Sequence, residues 1–172
     1  TGFSTNSFTW TNDLVLTHKD PRGLVTTNSW DNLNRLTGTV FPDGSSISNV
    51  YTILDLTATK DRMGNWTHLG YDNMRRNTTI TNALGRVTTL TYCTCGALES
   101  TLDAAGKLTS YFYDNQGNQT EVDYADGYAT MRNYNLLHQV VTAGDSSGAT
   151  VTNLYNDQGL LISSANAAGL LV

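Results

Sequence analysis

The sequence predicts an all-β protein built from tandem antiparallel β-hairpins, a curved ribbon or strip that can curl toward a barrel, and three observations predict it. Glycines recur at Gly23, Gly44, Gly64, Gly85, Gly106, Gly127, Gly148 and Gly169, with successive spacings of 21, 20, 21, 21, 21, 21 and 21 residues. Seven residues after each of the first seven stands an aromatic: Trp30, Tyr51, Tyr71, Tyr92, Tyr113, Tyr134 and Tyr155. Between these markers lie short runs rich in β-branched and aromatic residues, and no stretch carries a capped 3.6-residue period. A fixed period near 20 residues is the signature of a repeat architecture.

Each unit reads in order as turn, strand, turn, strand. The first turn is closed by the repeat glycine and led by Asp, Asn or Pro, as in "DPRG", "PDG", "DRMG", "NALG" and "DAAG". An Asx side chain accepts backbone N–H groups ahead of it, and glycine takes the positive φ that a tight turn needs. The strand into the aromatic follows, as in "RVTTLTY", "KLTSYFY" and "ATVTNLY". The second turn begins just after the aromatic: "WDNLNR", "YDNMRR", "YCTCGA", "YDNQGN", "YNLLHQ" and "YNDQGL". The outgoing strand completes the unit, as in "LTGTVF" and "LLISSA". Tyr51 keeps its place although "TILD" after it is a poorer turn. A lone hairpin is marginal in water, so the units must pair side by side and bury a common face, each supported by its neighbours. Residues 1–172 then form a single repeat region.

Composition narrows the function classes. Ten basic against fifteen acidic residues give a net charge of −5, and charged residues are 15% of the 172, below the roughly 25% of ordinary globular proteins. This is no footprint for nucleic acid. No apolar run reaches the roughly 20 residues of a membrane-spanning helix. The chain begins at Thr1, which suggests a fragment of a longer protein.

A unit of about 21 residues with an aromatic-Asp pair at one turn and a DxxG-like close at the other resembles the RHS or YD repeat family. "GKLTSYFYDNQGNQT" and "DPRGLVTTNSWDNLNRLT" carry the resemblance most clearly, and it extends over essentially the whole chain. The copies depart at Tyr92, followed by Cys93, at Tyr134 and Tyr155, followed by Asn135 and Asn156, and at Tyr51, followed by Thr52. Members of this family are typically much longer, and their hairpin ribbons wind into hollow shells. The shell encloses a C-terminal toxin in bacterial Rhs proteins and insecticidal toxin complexes, and serves at the cell surface in teneurins. The resemblance therefore implies a structural segment of a bacterial, secreted or cell-surface shell, partnered by the rest of that shell and its cargo, with no active site or cofactor of its own. "DPRGL" also matches the DPxGL motif of the family's self-cleaving aspartyl protease segment, which would make Asp20 a catalytic carboxylate. Its register with the other turns makes it a turn residue.

Other residue types permit chemistry. Cys93 and Cys95 could hold a metal or a reactive thiol, and a Cys–His hydrolase would set one of them beside His68 or His138. A complete tetrahedral metal site needs ligand spacing that the chain does not show. His18, His68 and His138 occupy different places in their repeats and form no ladder. Trp10, Trp30 and Trp66 offer platforms for a glycan; Trp66 is off register, two residues after Gly64. "NWT", "NTT" and "NQT" match the N-glycosylation pattern that a Thr- and Asn-rich composition produces by itself. The unpaired strand edges of such a strip, with low charge density, lead to an expectation of self-association as a homodimer.

Overall fold

The computed structural model describes residues 5–166 and 169–170. These residues hold strands and turns only, and no helix is long and apolar enough to cross a membrane. The chain divides into two compact units between Val87 and Thr88.

In the first unit the strands are β1 (Ser7–Thr11), β2 (Leu14–Lys19), β3 (Val25–Trp30), β4 (Leu36–Val40), β5 (Ser46–Thr52), β6 (Asp55–Lys60), β7 (Trp66–Tyr71) and β8 (Asn77–Thr81). Each pairs antiparallel with the next in sequence. The second comprises β9 (Val87–Tyr92), β10 (Leu98–Leu102), β11 (Leu108–Tyr113), β12 (Gln119–Asp123), β13 (Ala129–Tyr134), β14 (Val140–Asp145), β15 (Thr150–Tyr155), β16 (Leu161–Asn166) and β17 (Gly169–Leu170), paired in the same way. Among the described residues no pairing returns from the last strand of a unit to its first. Neither unit therefore closes on itself, which corrects the expectation of a curled barrel and leaves a meander of hairpins.

The two turns of the repeat, different in sequence, are one turn in structure. At Asp103 the residue's N–H reaches the Lys107 carbonyl at 2.9 Å, its carbonyl accepts the Gly106 N–H at 3.0 Å, and its carboxylate accepts the N–H groups of Ala105 and Lys107 at 2.8 Å each. Asp114, eleven residues on, repeats all four bonds with Asn118, Gly117, Gln116 and Asn118 at 2.9–3.1 Å. Gly106 and Gly117 have φ of +80° and +83°, the left-handed residue that ends such a turn. Non-glycine residues fill that place at Asn34, Arg75 and His138, with φ of 60–62°. The last two side chains tie their turn to one 20 residues earlier: Arg75 to Asp55 at 2.8 Å, and His138 Nδ1 to Asn118 Oδ1 at 2.6 Å.

The turn after Tyr51, like the one after Trp10, is one residue shorter than in the other repeats. Tyr51 pairs with Leu56, five residues on, whereas Tyr71 pairs with Asn77 and Tyr113 with Gln119, six residues on. That deletion accounts for the one spacing of 20 among spacings of 21, and it forces the β-branched Ile53 to a φ of 56°.

Of the described residues only Ala58, Val122 and Thr39 are buried, at 6, 6 and 7% exposure. The common face is half-buried, and hydrogen bonds between neighbouring repeats add to the hold of a small core.

Candidate functional site

The most regular constellation is a polar seam that recurs with the repeat. After each second turn the outgoing strand carries a β-bulge opposite the repeat aromatic. Trp10 pairs with Val15 while Thr9 pairs with Thr17, and the same slip occurs at Tyr51/Leu56, Tyr113/Gln119 and Tyr134/Val140. A bulge interrupts the ladder, and the carbonyl beside it needs a donor from elsewhere. At four of the repeats the aromatic one repeat later supplies it, 15 residues on. Trp30 Nε1 donates to the Val15 carbonyl at 3.0 Å, and the Tyr71, Tyr134 and Tyr155 hydroxyls donate to the carbonyls of Leu56, Gln119 and Val140 at 2.9, 2.9 and 3.0 Å.

A second donor comes from asparagine two residues before the aromatic. Asn28, Asn49 and Asn153 each donate Nδ2 to the carbonyl 13 residues back, on Val15, Leu36 and Val140, at 2.9–3.1 Å. Their Oδ1 atoms accept from Thr39, Thr59 and Ser164 at 2.9, 3.0 and 2.8 Å. The amide thus uses both its donor and its acceptor, which explains asparagine in mid-strand, where its β-propensity is poor. The sequence reading missed this set, although the 21-residue spacing of Asn28 and Asn49 was visible in it.

The turn carboxylates form the second repeated group. Asp20, Asp31, Asp43, Asp61, Asp72, Asp114 and Asp145 are all held below the ordinary value of 3.8. The leading cause is the backbone N–H of Leu24, Arg35 and Arg76 for Asp20, Asp31 and Asp72, and the side chains of Ser45, Asn65, Asn118 and Ser147 for the rest. A carboxyl whose folded pKa is depressed adds stability above its unfolded pKa, and that stability disappears as pH falls through the folded value. Since all seven point the same way, the melting temperature should be level from pH 7 to about 5 and fall progressively below about 4. Asp114→Asn should weaken this acid response and change little at neutral pH, because an amide oxygen still accepts the turn N–H groups, as Asn135 does from Leu137 and Gln139 at 2.9 and 3.0 Å. A melting temperature level down to pH 2.5 would contradict the assignment.

The residues singled out for chemistry are held in structural contacts. Asp20 Oδ1 accepts from Arg22 and Leu24 at 2.9 Å each, and Oδ2 pairs with the Arg22 guanidinium at 2.7 Å. A proton-sharing aspartyl pair would set a second carboxylate there and raise one pKa, whereas Asp20 is lowered. Cys93 and Cys95 are joined to each other as a disulfide, and no free cysteine remains among the described residues. A hydrolase pairing with His68 or His138 would use a thiolate, and in this structure both sulfurs are held in the bridge. His68 stacks on Trp66 with centroids 6.2 Å apart, and His138 is bonded to Asn118. His18 stacks on Phe8 at 4.6 Å and contacts Asn6 Oδ1 at 2.9 Å. Trp66 stacks on His68 and has the Lys60 ammonium 5.9 Å from its ring, while Trp10 is 60% exposed. No group of three His, Cys, Asp or Glu among the described residues is placed to hold a metal.

The model of the RHS repeat family matches residues 96–129, a stretch that holds the Asp103 and Asp114 turns and the strands between them. That stretch carries the sequence of the RHS repeat. Solved structures share the fold. The crystal structure of TcdB2-TccC3 aligns at 16% identity with a TM-score of 0.54, over 95% of this chain and 9% of that one. The Photorhabdus luminescens Tc holotoxin pore with a TccC3 mutation aligns at 13% identity with a TM-score of 0.52, over 90% of this chain and 11% of that one. TcdB2-TccC3-TEV aligns at 13% identity with a TM-score of 0.53 over the same shares. This chain spans about a tenth of the length of those chains. No curated protein matches the sequence.

Proposed function

We propose that this chain is wall: a structural segment of a longer RHS polypeptide whose repeats together enclose or present another domain, with a toxin as the cargo in a bacterial, secreted or surface-displayed parent. The observation that carries the reading is that the turn carboxylates and the repeat aromatics are used to hold turns and bulges. The carboxylates cap turns, the aromatic hydroxyls cap bulge carbonyls, and the cysteines are bonded to each other. The shared fold with the TcdB2-TccC3 structures supports the shell context.

Limited proteolysis of the full parent polypeptide tests the proposal. The companion domain should resist trypsin at concentrations that digest the same domain made alone, and should become sensitive once substitutions in this segment open the wall. Equal digestion in both settings would refute enclosure.

A further inference from the structure

In five of the second turns the first residue is Asp or Asn, and its side-chain oxygen accepts the N–H two residues on: Leu33 to Asp31, Met74 to Asp72, Gln116 to Asp114, Leu137 to Asn135 and Gln158 to Asn156. In the "YCTCG" turn the disulfide joins those same two places, Cys93 and Cys95. The backbone turn is unchanged, with Cys93 N–H on the Ala97 carbonyl and Gly96 N–H on the Cys93 carbonyl, both at 3.0 Å. The sulfur bridge therefore closes a turn that its own backbone and its neighbours already hold, and a ring closed over one intervening residue constrains the unfolded chain little. Opening it leaves the fold in place.

Access and surroundings are those of a reactive pair. Cys95 is exposed and Cys93 half-buried. Both border an open groove of about 450 Å³ whose other walls include Glu99, Leu108, Tyr111, Phe112 and Tyr113. Leu108 and Phe112 are 47% and 46% exposed, so the groove offers apolar surface beside the more accessible sulfur.

We propose that Cys93 and Cys95 form a thiol–disulfide exchange site for a cysteine-containing peptide whose apolar side chain lies against Leu108 and Phe112. A peptide thiolate attacks Cys95 Sγ, the new S–S bond forms as the Cys93–Cys95 bond breaks, and Cys93 Sγ leaves with the electron pair and takes a proton from water. A second thiol of the same peptide then attacks the peptide sulfur of the mixed disulfide and releases Cys95 as thiolate. The peptide dithiol is oxidised to its disulfide, and the protein disulfide is reduced to two thiols.

The test uses the intact chain and two synthetic tetrapeptides, each with terminal cysteines around either a glycine–phenylalanine or a glycine–glycine pair, with maleimide quenching and intact mass as the readout. Exchange should proceed without denaturant, about 5-fold or more faster with the phenylalanine peptide, and Phe112→Ala should remove that preference. The double substitution Cys93→Asp with Cys95→Gln rebuilds the Asp114–Gln116 turn; it should keep the melting temperature and lose exchange. Sulfurs that react only where the chain unfolds would show a purely structural staple and overturn the proposal. So would equal rates for the two peptides, or a preference that survives Phe112→Ala.

Discussion

Val122→Asp is expected to destabilise the second unit by about 3 to 5 kcal/mol, enough to leave a marginal fold largely unfolded at neutral pH. Val122 is 6% exposed, one of two buried apolar side chains among the described residues, and it sits in β12 directly across from Tyr111 and Thr130. The introduced carboxylate would lose its water with no cation in those cross-strand places to replace it. Its pKa would rise, so the loss should shrink as pH falls toward 5, opposite in sign to the acid response of the turn carboxylates. Urea titrations followed by circular dichroism at pH 7.5 and 5 measure both. A midpoint within error of the parent would show that Val122 has access to water.

Tyr134→Ala should cost about 2 to 3 kcal/mol, and Tyr134→Phe about 1. The ring is half-buried, and its hydroxyl is the donor that satisfies the Gln119 carbonyl beside the bulge of β12, at 2.9 Å. Truncation to alanine removes the packing and the donor together; phenylalanine removes the donor alone. The difference between the variants isolates packing, and the phenylalanine value isolates the cap. Thermal melts of both decide it. A Tyr134→Phe variant as stable as the parent would show that the bulge carbonyl needs no side-chain donor, and the seam would lose its energetic meaning.

Much of this fold was readable before any coordinate, because its turns are local chemistry. Asp103 and Gly106 lie three residues apart, and a carboxylate that accepts two nearby N–H groups, with a glycine free to take positive φ, makes the same turn in any context. The period of such turns implies hairpins, and the strands follow. Even the short turn after Tyr51 was visible as a spacing of 20. The roles of Trp30, Tyr71, Tyr134 and Tyr155 were not visible, since each acts on a carbonyl 15 residues earlier that becomes adjacent only once the neighbouring strand has paired. The roles of Asn28 and Asn49 carried no signal in the sequence for the same reason; pairing sets their amides between a bulge carbonyl and a threonine hydroxyl. Cys93 and Cys95 show the boundary most plainly. Sequence places two thiols one residue apart, while the turn that brings them face to face, and the groove beside them formed with β11, belong to the tertiary structure.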